Sequence, residues 1–191
     1  GKTSLCVNLA AGLAREGKRV LLVDLDPTAH ATAWLLGMDQ VGAPGAAEAL
    51  REERLRDELL SPVPGYDRLA LLPASRSLPT MENELREDGG HAILRNILEA
   101  TDGFDFVVVD TPPALGAFTS GALFAADAIV APVPAAFLPL AGLRLLEESL
   151  AKLKRRVALR AELLGVVMFG ADPREAVTAQ MREALQRDVG D

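Results

Sequence analysis

The sequence predicts an α/β protein, a mostly parallel sheet flanked by helices on both faces. Three observations lead there. Apolar runs alternate along the 191 residues with longer stretches of helical periodicity, the pattern of strands joined by crossover helices. Two of the runs, Val20-Leu21-Leu22-Val23 and Phe106-Val107-Val108-Val109, show no polar alternation, as expected for strands covered on both sides. Both end in an aspartate, Asp24 and Asp110, at the carboxyl edge of the sheet where open α/β folds bind ligands.

The elements follow in order. Gly1 to Glu16 reads as a helix, with Leu5, Leu9 and Leu13 four residues apart and Gly17 as its stop. Val20 to Asp24 is a strand. Ala46 to Leu60 reads as a charged amphipathic helix closed by Ser61-Pro62, and Leu69 to Leu72 as a short buried strand. Two helical stretches, Thr80–Glu87 and His91–Ala100, are separated by Gly89-Gly90. Phe106 to Asp110 is the clearest strand; a Pro112-Pro113 turn and a helix near Thr119–Ala126 follow it. Ala128–Val133 is a further strand, and Leu140–Val157 a helix with Leu143, Leu146, Leu150, Leu153 and Val157 on one face. Leu163–Phe169 is the last strand and Arg174–Arg187 the last helix. With no repeat, low-complexity tract or linker, residues 1–191 read as one domain.

Composition narrows the function. Hydrophobic residues make up 49%, charged residues 25% and aromatics 4%, so the core must be built from Leu, Val and Ala. A formal charge of −7 argues against a strongly nucleic-acid-binding body, because neutralising phosphates needs a basic face. Cys6 is the only cysteine, which excludes an intrachain disulfide and fits a reducing, cytoplasmic setting. No apolar run approaches the length of a membrane span, and no signal-peptide pattern occurs.

Three segments carry chemistry. The chain opens Gly1-Lys2-Thr3-Ser4 and passes at once into a helix. A phosphate-binding loop ends this way: backbone amides cradle phosphates, the lysine reaches them, and the hydroxyl meets Mg²⁺, with the helix dipole adding positive potential. The strand at Val20 ends Asp24-Leu25-Asp26-Pro27; alternation puts both acids on one side, suited to a water or hydrated Mg²⁺ beside a terminal phosphate. The strand Phe106–Asp110 ends in Asp110-Thr111-Pro112-Pro113, an apolar strand terminating in a metal-holding acid, with two prolines stiffening its exit.

The order of Gly1-Lys2-Thr3-Ser4, Val20–Pro27, Phe104–Gly116 and Ala125–Val133 resembles the ParA/Soj branch of the deviant-Walker (ParA/MinD) P-loop ATPases. Leu71-Leu72-Pro73-Ala74 and Leu138–Leu143 also match places in that pattern, so the resemblance spans nearly the whole chain. It implies an ATPase that dimerises on binding ATP and Mg²⁺, meets a ParB-like partition partner and non-specific DNA, and acts in chromosome or plasmid segregation in the cytoplasm, on or near the nucleoid, with no membrane role. Carried over by residue, Gly1 belongs to the phosphate loop, Lys2 binds the β/γ-phosphates, Thr3 ligates Mg²⁺ and Ser4 contacts the α-phosphate. Asp26 orients the attacking water. Asp24 is a supporting acid on the Mg²⁺ side, Asp110 holds the metal through a bound water, and Pro112 shapes the loop beside the nucleotide.

The family's signature lysine lies in a Lys-Gly-Gly stretch ahead of the position of Gly1, and the strand leading into the loop would lie inside the sheet beside Phe106–Asp110. The expectation is a chain cut at its N-terminus and stopping early at its C-terminus. As written it would fold poorly or hydrolyse little, while the complete parent is active. Asp172-Pro173-Arg174 stands where the family carries a more basic loop.

The remaining features read blandly. Lys152, Lys154, Arg155, Arg156 and Arg160 form the only dense basic cluster, better explained by cations offsetting a helix C-terminal dipole than by a DNA patch. His30 and His91 lack ligand spacing and read as surface or loop residues. Cys6 reads as a packing residue, which weighs against the nitrogenase iron protein branch. Trp34 is expected to pack beneath the loop after Asp26. Rival functions are a hydrolytically inactive nucleotide-binding module, a MinD-like positioning regulator, and a bacterial tyrosine kinase; the last would carry a tyrosine-rich tail, whereas Tyr66 is the only tyrosine.

Overall fold

The computed structural model describes residues 1–87, 90–134, 160–170 and 174. Two compact units divide the chain, one spanning residues 2–125 and the other residues 126–191 together with Gly1.

In the first unit the elements run α1 (Lys2–Arg15), β1 (Val20–Asp24), α2 (His30–Leu36), α3 (Ala46–Arg51), β2 (Ser61–Pro62), β3 (Leu69–Leu72), α4 (Leu78–Glu87), α5 (Ile93–Glu99), β4 (Phe106–Asp110) and α6 (Ala117–Ala125). Short 3₁₀ turns lie at Met38–Gln40, Asp57–Leu59 and Gly90–Ala92. The sheet has the order β2-β3-β1-β4. β1 is parallel to both β3 and β4, and β2 joins β3 antiparallel. This is the α/β fold with a mostly parallel sheet, and α1 is its first element.

β1 explains why its run lacks polar alternation. All five residues are buried. Leu21 and Val23 enter one core with residues of α3 to α6, while Val20 and Leu22 enter a second core with Val7, Ala10 and Ala14 of α1 and Ala31 of α2. Each side chain taken from water on either face contributes about 1.5–3 kcal/mol, so both faces demand apolar residues. Helices therefore cover both faces.

α1 ends where the glycine indicated. Gly17 takes a left-handed φ of 82°; its amide donates to the Ala14 carbonyl (3.0 Å) and the Lys18 amide to the Leu13 carbonyl (3.1 Å), closing the Schellman pattern that a residue without Cβ makes cheaply. The inward face differs from the Leu5-Leu9-Leu13 reading. Val7, Ala10 and Ala14 are the buried residues, and Leu9 is 40% exposed. Small side chains let α1 approach the sheet closely.

The helix expected over Ala46–Leu60 stops at Arg51. Glu53 adopts a φ of 50°, and the Glu53 and Arg54 amides close back onto the Leu50 and Ala49 carbonyls (3.3 and 3.0 Å). Ser61-Pro62 is not a helix stop but the edge strand β2, opposite Leu71 and Ala70; proline is tolerated there because the edge needs no ladder donor at that position. Trp34 is also corrected. It is 58% exposed, because Ala31 and Thr32 occupy the inward face of α2 and position 34 falls away from it. β4 departs from full coverage too. Among the described residues it is an edge strand of this sheet, and Phe106 and Val107 are 44% and 38% exposed.

In the second unit, β5 (Ala128–Pro134) pairs parallel with β6 (Glu162–Phe169), with a register irregularity at Ile129/Val130. The helices expected over Leu140–Val157 and Arg174–Arg187 lie outside the described residues, as do Lys152, Lys154, Arg155, Arg156, Leu138–Leu143 and Asp172-Pro173; Arg160 is exposed.

Candidate functional site

The site of the first unit forms where β1 and β4 end beside the start of α1. Parallel pairing puts Asp24 and Asp110 at the same register position on adjacent strands, a spacing of about 4.8 Å between chains. Residues two before them, Leu22 and Val108, belong to the core under α1, so the period-2 pleat turns both acids toward α1. Neither carboxylate is exposed: both are 0% accessible.

Asp24 is fully engaged. Its Oδ2 accepts from the Thr32 amide (2.9 Å) and hydroxyl (2.8 Å), and its Oδ1 accepts from the Asp26 amide (3.1 Å). The Thr32 hydroxyl in turn accepts from the Ala74 amide (2.9 Å), tying the end of β1 to the segment after β3. Burial pushes the Asp24 carboxyl above its usual range; the Thr32 and Asp26 donors oppose that, and the charge of Asp110 adds to it. The sequence cast Asp24 as an acid on the metal side; its oxygens accept from the Thr32 and Asp26 donors.

Asp110 is the opposite case. Both of its oxygens are buried, and among the described residues no donor meets them in hydrogen-bonding geometry, although the Thr3 hydroxyl and the Cys6 thiol lie close. Burial pushes this carboxyl up as well; the Thr3 hydroxyl nearby favours the charged form, Asp26 disfavours it, and Cys6 and Lys2 favour it. Lys2, Thr3, Asp26 and Asp110 are thus electrostatic neighbours, three chain segments brought to one sheet edge. A buried carboxylate without donors costs several kcal/mol, and such an orphaned, hard oxygen pair facing a hydroxyl and an ammonium fits a divalent cation bound together with phosphate. Among the described residues no three His, Cys, Asp or Glu side chains form a ready-made metal cage. Mg²⁺ itself takes one or two protein oxygens and completes its shell with phosphate and water.

Asp26 lies just past β1. Its Oδ1 accepts from the Thr28 amide (2.9 Å) and hydroxyl (2.7 Å), while its Oδ2 makes no hydrogen bond among the described residues. Ser4 is exposed on the first turn of α1, its carbonyl accepting from the Asn8 side chain (2.8 Å). Pro112 is buried, and the loop after it is held by the Thr119 hydroxyl on the Ala114 carbonyl (2.7 Å). Gly1 groups with the second unit. Cys6 packs: its sulfur lies 3.8 Å from the Val109 carbonyl oxygen, and burial, then the charge of Asp110, push its thiol to about 12, which keeps it unreactive. His91 stands in the 3₁₀ turn Gly90–Ala92.

Sequence reasoning missed Thr28 and Thr32. Both lie in the Asp26-Pro27-Thr28-Ala29-His30-Ala31-Thr32 stretch, where hydroxyls following an acid at short range are a turn signal.

The comparisons with known proteins agree with this geometry. Residues 1–163 match a family described as an AAA domain. The chain is 38% identical over 191 residues to the chromosome-partitioning ATPase Soj of Thermus thermophilus, covering 100% of this chain and 73% of that protein. It is 30% identical over 203 residues to the chromosome partitioning protein ParA of Caulobacter vibrioides, covering 100% and 73%. Among solved structures, cobyrinic acid a,c-diamide synthase from Mycobacterium smegmatis with an ATP analog and magnesium superposes with a TM-score of 0.85 at 27% identity, covering 98% of this chain and 77% of that one. The Cyanothece McdA–ATP complex gives 0.81 at 21% identity, covering 98% and 74%, which is a likeness of fold. The phosphate-loop start, the two acid-terminated strands and relatives matched along the whole chain lead to one assignment: the chain belongs to the ParA/Soj family of chromosome-partitioning P-loop ATPases.

Proposed function

We propose that residues 1–191 are a single ATPase domain of a partition protein that dimerises on Mg²⁺-ATP and opens again on hydrolysis, its closed form meeting DNA and a ParB-like partner in the cytoplasm or on the nucleoid. The observation that carries this reading is Asp110, a buried carboxylate that no donor among the described residues meets in hydrogen-bonding geometry, beside Lys2, Thr3 and Asp26. Bound Mg²⁺ and triphosphate would supply the charge this pocket lacks and the bond to be cleaved.

The chain's own residues then divide the work. Lys2 would bind and neutralise the phosphates, Thr3 would hold the metal directly and Asp110 through a bound water, and Ser4 would contact the α-phosphate. Asp26, pinned through one oxygen and free on the other, orients the attacking water. Such positioning and fixed electrostatics are what phosphoryl transfer mostly requires. Asp24 acts indirectly, by fixing the loop that carries Asp26, and Pro112 keeps the exit of β4 rigid. The relatives named as partition proteins support the cellular role. No described helix is long and apolar enough to cross a membrane, and the net charge of −7 leaves DNA contact to a local patch.

The test is Mg²⁺-dependent ATP turnover and ATP-dependent sedimentation of the intact protein beside Lys2→Ala and Asp26→Ala. Lys2→Ala should lose both nucleotide binding and turnover; Asp26→Ala should bind and dimerise but turn over at least about 100-fold more slowly. Normal rates in both variants would overturn the assigned roles, and a wild-type protein that binds without turnover would favour the inactive module.

A further inference from the structure

The hydrogen bonds on Asp26 do not stop at Thr28. The Thr28 hydroxyl lies 2.7 Å from Asp26 Oδ1 and 3.1 Å from His30 Nδ1. A hydroxyl has one proton. At 2.7 Å two oxygens need a proton between them, and a carboxylate oxygen accepts, so the Thr28 proton is committed to Asp26. The contact with His30 must then run the other way, Nδ1–H donating to the Thr28 oxygen. The three side chains form a directed relay: His30 Nδ1–H to Thr28 Oγ1–H to Asp26 Oδ1.

The backbone is shaped for it. Ala29, between the two, takes a left-handed conformation (φ 54°, ψ 33°) and is buried, although its Cβ makes that region unfavourable by about 1–2 kcal/mol. Strain of this kind persists only where the surroundings enforce it. Here the Ala29 amide closes a turn onto the Asp26 carbonyl (2.8 Å), and the reversal at Ala29 sets the Thr28 and His30 side chains against one another.

We propose that His30 is a positioning residue for the hydrolytic step: through Thr28 it locks the rotation of the Asp26 carboxylate, so that Oδ1 is fully occupied and Oδ2 faces the water to be activated. This inference rests on the ATPase reading given above. Sequence placed His30 as a surface or loop histidine, and it is exposed; its role comes from the ring nitrogen that meets Thr28.

The experiment uses the intact protein. His30→Ala and Thr28→Val should each lower kcat by about three- to tenfold, the size of one lost hydrogen bond, with KM for ATP unchanged. The double variant should fall no further than either single, because both break one chain. His30→Asn, whose side-chain amide presents a donor where Nδ1 stood, should restore turnover; His30→Gln, which presents it where Nε2 stood, should not. Nitrogen NMR at alkaline pH should show His30 protonated at Nδ1 in the wild type and reverting to the Nε2–H form in Thr28→Val. A His30→Ala protein with wild-type kcat overturns the relay alone, as does a loss that appears equally in KM and melting temperature with no rescue by Asn. A wild type without Mg²⁺-dependent turnover overturns the ATPase reading and the relay together.

Discussion

Asp24 and Asp110 stand side by side at the ends of two parallel strands, equally buried, yet among the described residues Asp24 accepts three hydrogen bonds and neither oxygen of Asp110 meets a donor in hydrogen-bonding geometry. The asymmetry sets a carboxylate tied to its own loop beside one that is not.

Asp110→Asn should stabilise the ligand-free protein. Burial raises the Asp110 carboxyl above its ordinary value of 3.8, so the folded state holds that proton more tightly than the unfolded state. The destabilisation is absent below about pH 3.8, grows as the pH climbs from there toward the raised value, and is complete above it. Thermal melts should show the variant ahead by the equivalent of about 1–3 kcal/mol at neutral pH, with the gap closing in acid. Adding Mg²⁺-ATP should raise the wild-type melting temperature and leave the variant's unmoved.

Thr32→Val should behave in the opposite sense. It keeps the shape but strips Asp24 Oδ2 of its hydroxyl donor and the Ala74 amide of its acceptor. Urea unfolding should report a loss of about 2–4 kcal/mol. Thr32→Ser, which retains the hydroxyl, should lose about 1 kcal/mol.

Gly45→Ala tests sterics rather than charge. A Cβ at residue 45 would lie 2.1 Å from the Pro73 carbonyl oxygen, which also accepts the Ala46 amide at 2.9 Å. Backbone must move on one side, and we expect about 2–4 kcal/mol of destabilisation by the same measurement, with Gly12→Ala, where a Cβ meets open space, as the tolerated control.

Asp105 governs part of the acid limb. It accepts from the Arg19 side chain (2.9 Å) and amide (2.8 Å), and these donors hold its carboxyl at about 2. Stability from this contact is present above the ordinary 3.8 and is lost as the pH falls toward about 2. Asp105→Asn should flatten that part of the stability–pH curve, and added salt should shrink the difference, since the pair is exposed.

The strands were legible because their signals are local and strong. Val20–Asp24 and Leu69–Leu72 fall where the apolar runs placed them. The helix over Ala46–Leu60 was misjudged because Glu53 enters a left-handed turn without being glycine, which composition does not announce. Trp34 misled for a related reason: hydrophobicity says that a residue prefers burial, not which face of α2 is turned inward.

Sequence by itself determined the fold class, the family and the order of the three acidic and phosphate-loop segments, because strand burial and motif spacing are written in consecutive residues. Tertiary structure alone decided the different fates of Asp24 and Asp110, and the relay through Thr28 to His30. Those depend on which donors arrive from elements remote in the chain, or on a backbone reversal at Ala29, and neither a carboxylate's partners nor its loneliness can be read until the chain has closed around it.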